Sequence, residues 1–199
     1  MIKTLLVVLL SSPLAWLSWL IFLDIQMPGI ALGADAGETV LHFLGEWSLI
    51  MVLCAFAVSP LRRLSGYSAL GRQRRLVGLF AFSYVCLHLF AYIALYLLFD
   101  LSTLYEDIVE RPYITVGMLG FVCFLAMAIT STRGWQRRLK RNWQRLHRLV
   151  FVAIAAGLVH LWWLTRDGYL ELAIYTVVYL GLCAERLWTA RRQRVQSTG

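Results

Sequence analysis

The chain has 199 residues, 60% of them hydrophobic and only 15% charged, with a mean hydropathy of +0.67. A soluble domain carries about 25% charged residues, so this much apolar surface excludes an ordinary water-soluble fold. The formal charge of +8 does not point to nucleic acid, because the Lys and Arg crowd into alternate loops between apolar runs, where they act as a topology signal.

The apolar runs predict six membrane spans, each near the ~20 residues that cross a ~30 Å hydrocarbon layer. Residues 5–23 follow Lys3 as a signal peptide would, but the run continues through Trp16, Trp19 and Phe22 with no A-x-A site, so it reads as a retained first span. Further spans are expected at residues 41–59, 76–99, 114–131, 149–165 and 169–187. No linker or low-complexity stretch divides them, and residues 1–199 are expected to form one all-α integral membrane domain, a six-helix bundle. Cys54, Cys86, Cys123 and Cys183 each stand alone in an apolar run without a CxxC pair, and read as small core residues.

The connections alternate in charge. The loop after the second span carries Arg62, Arg63, Arg72, Arg74 and Arg75; that after the fourth carries Arg133, Arg137, Arg138, Lys140, Arg141, Arg145 and Arg148; the tail adds Arg191, Arg192 and Arg194. The loop after the first span instead holds Asp24, Asp35 and Glu38, and that after the third holds Asp100, Glu106, Asp107 and Glu110 beside a lone Arg111. The positive-inside rule then puts both termini in the cytoplasm and the acidic loops outside.

Ionisable side chains within spans are costly and usually functional. His42 and Glu46 come first, in the second span; an interfacial position suits the one and an interhelical hydrogen bond the other. His88 lies 12 residues into the third span and His160 lies 11 into the fifth, about 18 and 17 Å from the cytoplasmic edge at ~1.5 Å per residue. These two spans run in the same direction, so the histidines share a depth, as clamping a flat macrocycle edge-on between helices requires. A hydrogen-bonded core histidine explains either one taken alone, whereas the matched depth favours a haem pair. Zinc would need a third and a fourth ligand, whereas haem needs only the pair. His147 falls 13 residues before His160, at the cytoplasmic interface among arginines. Glu185 and Arg186 read as a packed or snorkelling charged end of the sixth span.

The stretches LGEWSLIMVLCAFAVSPLRR, GRQRRLVGLFAFSYVCLHLFAYIALYL, DIVERPYITVGM, AITST and RNWQRLHRLVFVAIAAGLVHLWW together resemble the MsrQ (YedZ) family of haem-binding membrane subunits, within the ferric-reductase-like transmembrane superfamily. The resemblance implies a b-type cytochrome of the bacterial inner membrane, an electron-transfer subunit rather than a catalytic one. Its electrons would come from the quinone pool or a cytoplasmic flavin reductase. They would go to a periplasmic molybdenum-containing methionine sulfoxide reductase, supporting repair of oxidised periplasmic proteins. The family's histidines carry over onto His88, His147 and His160 as metal ligands to one or two haem b groups, and the family is also associated with FMN.

Members of the wider superfamily typically pair two histidines on each of the third and fifth spans, whereas Arg74 stands 14 residues before His88 here. A guanidinium has no lone pair to give iron, which leaves His147 without a histidine partner. A second cofactor at the cytoplasmic edge is nonetheless expected, held by His147 with Arg74, Arg75, Arg145 or Arg148, because guanidinium groups grip a haem propionate or an FMN phosphate. The same arginines also serve topology alone. The periplasmic partner is expected to dock on the acidic outer loops. Two rival readings stand beside this one: a ferric reductase or oxidase subunit, for which no GxGxxG follows the last span, and a proton-relaying transporter, for which no Gly/Pro-broken helices surround a midplane site.

Overall fold

A computed structural model describes residues 2–166 and 168–198, and the chain in it is all helical. The helices are α1 (Ile2–Gln26), α2 (Ala36–Ser65), α3 (Ser68–Ala91), α4 (Leu101–Glu110), α5 (Pro112–Ile129), α6 (Arg133–Leu139), α7 (Arg141–Leu146), α8 (Leu149–Leu164) and α9 (Leu170–Thr198), with one π-helical turn at Tyr92–Tyr96 continuing α3. Among the described residues, five segments are long and apolar enough to cross a membrane: Ile2–Gln26, Ala36–Ser65, Ser68–Tyr96, Pro112–Ile129 and Arg141–Leu164. Their outer surfaces expose Leu5, Val8, Trp16, Phe90, Val122 and Val152, side chains that lipid rather than water accommodates. The protein is therefore a multi-pass membrane protein.

The sixth expected span falls on α9, which is not among the five. Its apolar half carries Glu171, Glu185 and Arg186, and the helix runs on past Leu187 to Thr198. The side chain of Arg194, counted above in the basic tail, lies outside the described residues.

Helix ends follow the local chemistry. Asp35 caps α2 by accepting from Glu38 N at 2.9 Å, and Gly66 ends it at φ 69°, a left-handed turn in which a Cβ would be strained. Two antiparallel pairs form the frame, α2 along α3 and α5 along α8, while α9 leans on α2 and α8. Leu49, Val52, Phe56, Val77, Ala81, Tyr84, Ile154 and Leu158 fill the space between them. Tyr84 is fully buried and donates to Leu10 O at 2.8 Å, which stitches α1 to α3. Gly120 of α5 faces Ala153 and Ala156 of α8, and small residues on both sides keep this contact close.

The acidic loop expected between the third and fourth spans contains a helix, α4. Asp100 caps it, accepting from Ser102 N at 2.9 Å, and Pro112 opens α5 directly after it. Leu101, Tyr105 and Val109 form an exposed stripe on α4, while Asp107 turns inward, accepting a hydrogen bond from Tyr92 OH and pairing with Arg111 Nε at 2.9 Å.

Candidate functional site

His88 on α3 and His160 on α8 meet in the middle of the bundle, their ring centres 6.3 Å apart and their planes crossing at 77°. Each ring is held the same way. His88 Nδ1 lies 3.2 Å from Leu41 O on α2, and His160 Nδ1 lies 2.7 Å from Tyr113 O on α5. A carbonyl only accepts, so each Nδ1 carries the proton, and each Nε2 keeps its lone pair for another partner. This is the arrangement by which metal-binding histidines are oriented.

Each ring also lies against a glycine one helical turn beyond its carbonyl partner. A Cβ on Gly45 would fall 3.0 Å from His88 Cε1, and one on Gly117 would fall 3.0 Å from His160 Nδ1. A side chain there would force the ring to shift by a few tenths of an ångström against its Nδ1 hydrogen bond. The two half-sites repeat in sequence: Leu41, Gly45 and His88 recur as Tyr113, Gly117 and His160, with every member displaced by 72 positions. The helix pairs α2–α3 and α5–α8 therefore present their imidazoles as two related halves facing each other. Sequence reasoning found the histidines but missed the glycines. The signal was present as a Gly-to-His spacing of 43 residues that occurs twice.

The spacing suits one iron between the rings. Imidazole nitrogens reach first-row metals at ~2 Å, and with ~1 Å from nitrogen to ring centre on each side this predicts centres about 6 Å apart. Among the described residues no three His, Cys, Asp or Glu side chains converge as a separate metal cluster. The glycine seats, the oriented Nδ1 donors and the paired Nε2 acceptors together fit a group that needs two axial ligands, as haem does.

At the basic end a second feature opens: a cavity of about 290 Å³ lined by Arg72, Arg74, Arg75, His147, Gln136 and Arg186, among others. Three of the expected inner-site residues, His147, Arg74 and Arg75, are brought together here. Arg145 and Arg148 are exposed and do not line it. His147 sits just after α7, its Nδ1 3.2 Å from Trp143 O and its ring 4.0 Å from the Trp143 ring, and Trp143 Nε1 ties this turn to α5 through Thr130 O at 2.9 Å. Elsewhere, Tyr175 OH donates to Glu46 Oε1 at 2.9 Å, the interhelical bond expected of Glu46. His42 is exposed near Glu38, and Glu185 pairs with Arg63 across α2 and α9.

The family model described as ferric reductase like transmembrane component matches residues 44–158, which contain both glycines, His88 and His147 and end two residues before His160. Several relatives are named "Protein-methionine-sulfoxide reductase heme-binding subunit MsrQ". That of Xanthomonas campestris pv. campestris (strain 8004) is 42% identical over 184 residues, covering 91% of this chain and 84% of the relative. That of Caulobacter vibrioides is 42% identical over 190 residues, covering 94% and 87%. No solved structure matches. With such identity along most of its length, and with a family model that matches more than half of it, the chain belongs to the MsrQ family of ferric-reductase-like transmembrane proteins.

Proposed function

We propose that the protein is a b-type cytochrome of the bacterial inner membrane that carries electrons outward to a periplasmic methionine sulfoxide reductase. The observation that supports this best is the His88–His160 pair, with both Nδ1 atoms satisfied by carbonyls and the ring centres 6.3 Å apart. Haem bound there supplies one-electron carriage. His88 and His160 would hold its iron, Leu41 O and Tyr113 O fix their tautomers, and Gly45 and Gly117 keep the seats open. In this reading residues 1–199 work as one transmembrane domain, α9 completes a six-span bundle, and both termini face the cytoplasm. The basic end then meets the donor, the quinone pool or a flavin reductase. The acidic end meets the acceptor, a molybdenum-containing catalytic subunit. A second redox cofactor, haem or FMN, sits at the basic end with His147, Arg74 and Arg75.

The relatives' printed name, a haem-binding subunit of a methionine sulfoxide reductase, supports the cofactor and the system served. The test is absorption of the purified protein. His88→Ala and His160→Ala should each lose most of the Soret band, because each removes one of the two imidazoles that face each other. A wild-type band and stoichiometry in either variant would refute the axial pairing.

A further inference from the structure

Arg186 on α9 half buries a guanidinium in the apolar interior of the basic end. Its NH2 donates to Phe56 O at 2.6 Å, and its central carbon stands 4.0 Å over the Phe56 ring. Its Nε has neither partner nor solvent; among the described residues it is the buried side-chain nitrogen or oxygen left unsatisfied. Such an atom calls for an explanation, and an ion bound beside it is one.

The surroundings indicate the sign of the missing partner. Arg186 lines the cavity together with Arg72, Arg74 and Arg75, and the charges of Arg74 and Arg63 are close enough to act on it. Guanidinium groups stay protonated, so these like charges repel around a space walled largely by Phe82, Phe124, Val52 and Met127, least screened at the half-buried Arg186. No Asp or Glu among the described residues lines the cavity. The nearest acid on the same helix, Glu185, has both oxygens engaged by Arg63, at 2.9 and 2.5 Å.

We infer that Arg186 and Arg74 hold one anionic group, a phosphate or a carboxylate, between α9 and α3. Arg186 gives Nε from one wall and Arg74 a guanidinium from the other, so the group neutralises the cavity and fastens α9 to the bundle. Planar guanidinium donors suit both oxyanions. Three sources present this chemistry: a tetrapyrrole propionate, the phosphate of FMN, and a phospholipid headgroup. The inference rests on the cavity and not on the His88–His160 pair, and it adds a residue that the reading above leaves unused.

The experiment measures haem, acid-released FMN and retained phospholipid per chain in the purified full-length protein, for wild type, Arg186→Gln, Arg186→Lys, Arg74→Gln and Arg192→Gln. Arg192 lies over Trp188, outside the cavity, and controls for the loss of one positive charge. Removing a charged hydrogen-bond donor should lower one of the three ligands about tenfold in both Arg186→Gln and Arg74→Gln. Arg186→Lys should lower it less and Arg192→Gln not at all. The ligand that falls identifies the source. All three ligands unchanged in Arg186→Gln, or an equal fall in Arg192→Gln, would overturn the inference. If Arg186→Gln fails to assemble, Arg74→Gln decides in its place, and full retention of all three ligands there would overturn it. Loss of the Soret band in His88→Ala with the anion retained would separate this site from the histidine pair.

Discussion

At the scale of single residues, the binding geometry depends as much on atoms that are missing as on those present. His88 and His160 sit close against α2 and α5 because Gly45 and Gly117 offer no Cβ, and a methyl group at either position would come to 3.0 Å from a ring atom. Overpacking of this kind costs about 1–3 kcal/mol when the neighbour cannot move, and each ring is pinned through Nδ1. Gly45→Ala and Gly117→Ala should therefore shift the absorption maximum and reduce haem per chain. Gly181→Ala, whose Cβ would meet nothing within 4 Å, should leave both unchanged and favour α9 slightly. Equal spectra in all three variants would mean that the seats are not constrained. The histidines were legible in the sequence because an imidazole in an apolar run has no cheap alternative to a ligand or a buried hydrogen bond. The glycines were not, because their meaning lies in a pairing 43 residues distant. Only the two halves laid over one another with a shift of 72 expose it.

At the scale of elements, the five apolar spans followed directly from hydropathy, since length and composition alone suffice to cross a bilayer. Helix α4 did not. Its charges marked it as an outer loop, while its exposed apolar stripe and inward Asp107 make sense only once a helix is drawn. Its start depends on Asp100, whose carboxylate accepts from the Ser102 and Thr103 hydroxyls and from Ser102 N at 2.9 Å. These donors, the Ser102 hydroxyl foremost, hold its carboxyl below the usual carboxylate range. A depressed value in the folded state means that the cap's contribution is present at neutral pH. It is lost as pH falls through that lowered value. Amide exchange across residues 101–110 should thus quicken in acid in the wild type. In Asp100→Ala it should already be fast at neutral pH and respond little to acid. Unchanged protection in the variant would show that the Asp107–Tyr92 and Asp107–Arg111 contacts hold α4 without its cap.

At the scale of the whole molecule, one end is basic and the other acidic, and charge loses its value as a signal where a helix mixes both functions. α9 illustrates this: Glu185 and Arg186 read as a charged helix end, but in the fold the first joins α2 through Arg63 and the second turns into the cavity. The acidic end poses the converse question of which acids remain for a partner. Asp24 accepts from Ala31 N and Leu32 N, Asp35 and Asp100 cap helices, and Asp107 is buried against Tyr92 and Arg111. Glu106 and Glu110 on α4 are exposed, and they flank the stripe of Leu101, Tyr105 and Val109. If the periplasmic reductase docks here, these two glutamates supply the steering charge nearest the stripe, and the apolar stripe supplies contact area. Electrostatic steering acts on the association rate and weakens once the Debye length falls to ~10 Å or less, near 0.1 M salt. Reduction of the partner by the pre-reduced protein should slow as salt rises. Glu106→Gln combined with Glu110→Gln should bring the low-salt rate down to the high-salt one. Changes at the structural acids should act on stability instead. A salt-independent rate, with the double variant as fast as wild type, would move the docking surface away from α4.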